Sequence, residues 1–377
     1  MMLAKSTFFQ VIYQVVLLLT FATRSPILSA LFVLVNVVLI ANSFKVFLSL
    51  TPVVGGIILT FILVTGVMFA VNAYRYLPAI VFWALGIFTV LGMAALLSFK
   101  DVVMKASGIT LYSFQLISLL FCAYYGFDNF PWENPLEKVI PGASANGITS
   151  YIVILQLNYS AMRYVSDKKP PYLAIIFTIL IAVAGYGRGS IVSGVLILFL
   201  SLFIQLFSDK ALKVGILIVV LITGIVVFYF TYQTEIDFFI LSKTKFAAAG
   251  VKSSHREFMV ADYLGKMNWY NSIFGAGYED TAITTYYHNN PHNSFIRAHS
   301  IFGLPYLLII FITPLVAMAF YNSILNTLFV GFCFLVLSLR CYTEPNLFPS
   351  IMDFYYFSLI LFPIQISRFD KKQSITA

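Results

Sequence analysis

Residues 172–208 read YLAIIFTILIAVAGYGRGSIVSGVLILFLSLFIQLFS. Two apolar runs, 172–187 and 190–208, meet with almost no loop between them, and Arg188 is the one charged residue in the stretch. Runs of this length approach the roughly 20 apolar residues that a helix needs to cross the hydrocarbon core of a bilayer. The joining segment, Gly185-Tyr186-Gly187-Arg188-Gly189-Ser190, is a tight turn at a membrane edge.

The same pattern repeats along the chain. Apolar runs fall near 7–23, 27–44, 53–73, 77–98, 108–126, 147–163, 172–187, 190–208, 212–231, 294–320, 323–340 and 350–367. They predict an all-α polytopic membrane protein of about 12 transmembrane helices, with residues 1–377 forming a single integral membrane domain. Residues 7–22 resemble a signal-peptide core but lack a small-residue cleavage site, so they read as an uncleaved first span. The segment 231–293, between the ninth and tenth predicted spans, is one large loop containing short helices.

Composition supports this solvent. The chain has 377 residues, 60% hydrophobic and 10% charged, with mean hydropathy +0.91. Soluble globular chains carry about 25% charged residues. The net charge of +8 does not indicate nucleic acid as a partner, because the basic residues are scattered between apolar runs and form no stripe. Cys122, Cys333 and Cys341 lie in or beside apolar segments without metal-ligand spacing, and read as small buried hydrophobes.

Basic residues also set orientation. With a cytoplasmic N-terminus, twelve Lys and Arg fall on short inner segments, from Lys5 to Lys372. Five fall on short outer ones: Arg24, Arg75, Lys138, Arg188 and Arg340. Both termini are then cytoplasmic. The other six basic residues sit in or beside the long loop, which is exempt from the rule. The outer surface is mixed-charge and Tyr-rich, which suits sugar binding and equally suits ordinary solvated loops.

Two outer segments stand out. Residues 127–146 are rich in turn formers and read as irregular or interfacial. In the long loop, Val251 to Asn268 forms an amphipathic helix with Phe258, Tyr263, Leu264 and Met267 as its apolar stripe, and Asn271 to Gly277 turns the chain.

All four histidines, His255, His288, His292 and His299, fall in this loop or at the start of the next helix. Histidine titrates near neutral pH and serves as a general base. His288 and His292 are four apart, but Pro291 and the surrounding Tyr-Tyr-His-Asn-Asn-Pro make a turn, and no carboxylate or cysteine completes a metal site. Arg188 has two readings: a topology-setting cation, or a diphosphate clamp beside a helix N-terminus, with glycines that let a ligand approach the backbone. Arg256 is a solvated surface cation or a ligand contact. Arg297 snorkels to the interface, and Arg340 pairs with Glu344.

Three stretches together resemble the O-antigen polymerase and O-antigen ligase superfamily of bacterial membrane glycosyltransferases. Gly185–Ser190 is similar to that family's Ser-Arg-Gly segment. Arg256, followed by Asn271-Ser272-Ile273-Phe274-Gly275-Ala276-Gly277-Tyr278, resembles its Arg helix and following turn. Pro291-His292-Asn293-Ser294-Phe295, with Phe302-Gly303-Leu304 after it, resembles the His-Asn segment that closes its large periplasmic loop. The likeness covers residues 180–310 in detail, and Gly187 departs from it where Ser is common.

The resemblance implies a polymerase in the bacterial inner membrane with its active face periplasmic. It would transfer an undecaprenyl-diphosphate-linked glycan to the terminal sugar of another lipid-linked repeat unit. Arg188 and Arg256 would neutralise the departing diphosphate, and His292 would take the acceptor's proton. Arg188, Arg256, Asn293, Tyr278, Arg297 and Arg340 would bind substrate. Diphosphate is already a good leaving group, so this route requires neither metal nor cofactor. The implied partners are the lipid-linked oligosaccharide, the bilayer and a chain-length regulator protein. A ligase acting on lipid A-core is the alternative within the superfamily. A non-enzymatic repeat-unit flippase is the alternative outside it, and the near absence of charge in the spans argues against that.

Overall fold

The structure, a computed structural model, describes residues 5–42, 50–72, 78–97, 99–126, 133–206 and 256–376, with the backbone alone at 78–80, 82, 256–257 and 367–376. Among these residues the chain is all helix and turn. In order they are α1 (Thr7–Thr23), α2 (Pro26–Asn42), α3 (Pro52–Asn72), α4 (Pro78–Leu97), α5 (Lys100–Tyr125), a 3₁₀ turn (Pro135–Lys138), α6 (Ala145–Asp167), α7 (Tyr172–Ala184) and α8 (Arg188–Gln205). After residues 207–255 come α9 (Arg256–Gly265), α10 (Trp269–Phe274), α11 (Ala282–Tyr287), α12 (Ser294–Met318), α13 (Ile324–Thr343) and α14 (Asp353–Thr376).

Five of them, α3, α5, α8, α12 and α13, are long and apolar enough to cross a membrane. Helices α1, α2 and α7, with the apolar parts of α4 and α14, are shorter. The predicted run at 212–231 lies outside the described residues. Helix α5 starts at Lys100, eight residues before the apolar run begins at 108, because a helix continues through the charged turn containing Asp101 and Lys105.

Helix α6 is the axis of the bundle. It is buried almost all round and contacts α5, α7, α8, α13 and α14. Its polar residues are tied to neighbours rather than turned to lipid. Gln115 of α5 donates to Ala174 O and to Thr178 Oγ1, each at 2.8 Å, and Thr178 donates on to Gln156 Oε1 at 3.0 Å. Such bonds join helices where apolar burial alone supplies little drive, because lipid is equally apolar.

The short helices α9–α11 are seated on this bundle. Asn72, at the end of α3, donates to Phe274 O at 2.8 Å and to Ile301 O at 3.2 Å, pinning α10 against α12. Two glycines permit that approach. Gly303 interrupts α12 with φ 66°, and Gly275 ends α10 with φ 87°; a side chain at either would run into backbone of the other element.

Two expectations are corrected here. Asn271 to Gly277 is not one turn: 269–274 is helical because Asn268 caps it, its side chain accepting from Asn271 N at 2.8 Å, and the turn starts at Gly275. The buried face of α9 is Met259 and Tyr263, one helical turn apart, packed with Ala276, Ile283 and Ile296. Phe258 and Leu264, expected on that stripe, are exposed. The helix starts at Arg256 in the described chain, so its contact face is set by where α11 and α12 lie, not by its own longest apolar pattern.

Candidate functional site

The Gly185–Ser190 turn leads directly into α8, with Gly187 at the N-cap and Arg188 as the first helical residue. Arg188 is half-buried. The turn rests on the start of α6, where Ser190 Oγ donates to Thr149 Oγ1 at 3.0 Å. Asn134 closes it from the other side, donating to Ala184 O at 2.9 Å, with Leu136 fully buried beside it. Residues 133–144 are irregular apart from the 3₁₀ turn, as their turn formers suggested, and they pack against this turn; residues 127–132 lie outside the described residues.

The glycines here do not hold space open for a ligand. A Cβ on Gly187 would meet Thr149 Oγ1 and Asn146 Oδ1, and a Cβ on Gly189 would meet Arg340 Nη1. The close approach is made by the protein's own side chains. Arg340, on α13, is 3% exposed and donates to Thr343 Oγ1 at 2.9 Å and to Asn146 Oδ1 at 3.3 Å. Asn146 donates in turn to Glu344 Oε1. Asn146 bridges Arg340 and Glu344, its amide offering an acceptor to the cation and a donor to the anion.

The His292 segment reaches the same place from α12. Asn293 caps that helix, its side chain accepting from Phe295 N at 2.8 Å and Ile296 N at 3.1 Å. Its buried oxygen is thereby committed to the backbone. Ser294 Oγ donates to Glu344 O at 2.7 Å and accepts from Leu347 N at 3.2 Å. The turn carrying Arg188 and the segment carrying His292 therefore both rest on the stretch from Arg340 to Leu347.

His292 itself is half-buried, in the left-handed region at φ 46°. Its N–H is held by Asn290 Oδ1 at 3.0 Å, and its ring stands edge-on to Tyr287 at 5.8 Å. His288 and Asn289 share the left-handed conformation, so 288–292 is the turn its residues suggested. Among the described residues no three His, Cys, Asp or Glu side chains gather as metal ligands would.

His299 does a different job. Its Nε2 lies 3.0 Å from Ser272 O, which can only accept, so Nε2 carries the proton and Nδ1 accepts from the Tyr263 hydroxyl at 2.8 Å. Burial pushes the Tyr263 phenol up, which keeps it a donor. His299 thus joins α12 to α9 and α10. Tyr278 packs edge-on against Tyr263 at 6.0 Å. The Arg256 side chain and His255 lie outside what the structure describes.

Arg297 does not snorkel outward. It donates from Nη2 to Leu347 O at 2.7 Å and from Nε to Phe348 O at 3.4 Å. Asp353, 1% exposed, accepts from Phe348 N at 2.9 Å and Ser350 N at 3.0 Å. Arg297 and Asp353 hold 347–350 between them. An extended segment between helices leaves its N–H and C=O groups unpaired, and a cation and an anion complete them.

Residue types alone single out the arginines and histidines. They give no sign of Asn146 or Thr149, which are ordinary helix residues until packing brings them beside Arg340 and Ser190. No protein-family model, curated protein or solved structure matches this chain.

Proposed function

We propose that the chain is an O-antigen polymerase of the bacterial inner membrane, with about 12 spans, both termini cytoplasmic and its active face periplasmic. It transfers a glycan from undecaprenyl diphosphate to the terminal sugar of another lipid-linked repeat unit. The observation that supports this reading is the convergence just described. Arg188 at a helix N-terminus and His292 on a capped turn are brought to one stretch, Arg340–Leu347, from distant parts of the chain.

In this reaction the acceptor hydroxyl oxygen attacks the anomeric carbon, and its proton passes to the His292 ring. The bond from that carbon to the diphosphate oxygen breaks, and the diphosphate leaves with the electron pair. A single displacement inverts the anomeric centre. Arg188, aided by the N-terminal end of α8, meets the charge that develops on the leaving group. Arg256 adds a second cation from α9. Proton transfer of this kind contributes roughly 10²–10⁴-fold.

Deleting the gene tests the class of enzyme. A polymerase loss leaves one repeat unit on the lipid core; a ligase loss removes even that and leaves lipid-linked chains unattached. A normal long-chain ladder would sink the polymerase reading. At residue level, His292→Ala should abolish polymer with membrane protein level intact. Arg188→Lys, which keeps the charge but loses the bidentate fork, should also be damaging.

A further inference from the structure

Arg24 ends α1 in the left-handed conformation, its N–H bonded to Thr20 O at 3.1 Å. Its side chain is exposed, and among the described residues it makes no hydrogen bond or ion pair. Arg297 and Arg340, by contrast, are spent on carbonyls and on Asn146. Tyr151 packs edge-on against Phe21 of α1 at 5.5 Å, one turn along α6 from Gly147, so the end of α1 stands beside the start of α6. An exposed guanidinium with no anion of its own among the described residues is an open position for an anionic group.

Directly beyond Arg24 the surface changes character. A shallow apolar groove runs between α2 and α4, lined by Ser29, Val33 and Val37 on one side and Val81, Ala84 and Leu85 on the other. Leu34, Val37 and Val81 on its rim are well exposed, so it opens sideways, away from the bundle. Ser29 to Val37 is nine residues of helix, eight rises of 1.5 Å or about 12 Å. Ser29 lies one turn after Ser25, which it bonds at 3.0 Å, so the groove starts just past the arginine. A cation at the head of an apolar trough matches an amphiphile with an anionic head and a hydrocarbon tail.

We propose that Arg24 and the α2–α4 groove form one site for the lipid-linked substrate. The groove holds the head-proximal part of a polyprenyl chain, and Arg24 receives its phosphate on the way to the cluster around Arg340. This rests on the donor class proposed above, and adds where that donor enters and which residue outside the three motifs contacts it. The rest of the tail stays in lipid, since the groove is much shorter than the roughly 30 Å hydrocarbon core.

The test is a binding titration of undecaprenyl diphosphate to the full-length protein in nanodiscs of zwitterionic phosphatidylcholine, with a photoreactive residue at Val33 reporting occupancy. Arg24→Gln removes the cation; Ala84→Phe fills the groove from its open side. Each should weaken binding about tenfold, the loss of one charge-assisted bond or of the tail contact, with thermal midpoint unchanged. Farnesol, which lacks phosphate, should give no crosslink. Unchanged binding in both variants overturns the site while leaving the donor class standing. Displacement by an equimolar amount of phosphatidylglycerol also overturns it, reducing the groove to a contact with ordinary lipid. No binding to the wild-type protein removes the donor class itself.

Discussion

The guanidinium of Arg340 lies against the backbone of Gly189: a Cβ at that glycine would stand 2.5 Å from Nη1. The contact couples the turn that carries Arg188 to the end of α13. Gly189→Ala must push Arg340 away from Asn146 and Thr343, or tilt the first turn of α8. Misplacing a working group by about 1 Å costs on the order of 10²-fold in rate. Gly189→Ala should therefore cut polymer length and amount by about tenfold or more, read on a glycan ladder at matched protein level.

Asn146 holds Arg340 and Glu344 together in a nearly dry place. Asn146→Leu keeps the volume and removes both bonds. A hydrogen bond to a charged group contributes about 1.5–3 kcal/mol. The thermal midpoint in detergent should fall clearly, and two further changes, Arg340→Met with Glu344→Gln, should recover part of the loss because no buried charge is then left.

His299 and His292 should separate cleanly. His299→Ala leaves the buried Tyr263 hydroxyl without its acceptor, a cost of about 1–3 kcal/mol, and the half-buried Ser272 O without its donor. Protein abundance and thermal midpoint should drop. His292→Ala should lower neither, and should remove activity. The reverse pattern would exchange the roles assigned to the two rings.

Asp353→Ala should loosen the stretch beside the site. Two backbone N–H groups, those of Phe348 and Ser350, lose their acceptor in a buried position. The expected cost is about 2–4 kcal/mol. Faster hydrogen exchange confined to residues 347–353 would mark the loss as local, whereas an unchanged exchange profile would show that Asp353 does not hold the segment.

The helices are largely legible in composition. A run such as 323–340 is apolar enough that no solvent but lipid or protein suits it, and helix is the form that satisfies its backbone there. The helix over 269–274 is not legible in this way. It is six residues long, rich in Trp, Tyr and Asn, and exists because Asn268 caps it and Asn72 holds its last carbonyl. The stripe on α9 is misread for a related reason. Two apolar faces are available on that helix, and the one that is buried depends on neighbours that join it from later in the chain.

Of the site, the sequence by itself determined the residue types: arginines at Arg188 and Arg340, a histidine beside a proline, and a long polar loop in an apolar chain. These follow from local composition, since a charge in a chain with so little of it must have a reason. Only the tertiary structure decided which of those groups hold the frame. It committed Arg297 to two carbonyls, Arg340 to Asn146, Asn293 to its own helix and His299 to Tyr263 and Ser272. Each of these choices except the Asn293 cap joins residues far apart in the chain, 194 positions in the case of Arg340 and Asn146. A hydrogen bond selects its partner by position and angle within a few tenths of an ångström, and that is settled by how helices pack, not by which residues stand next to each other in the chain.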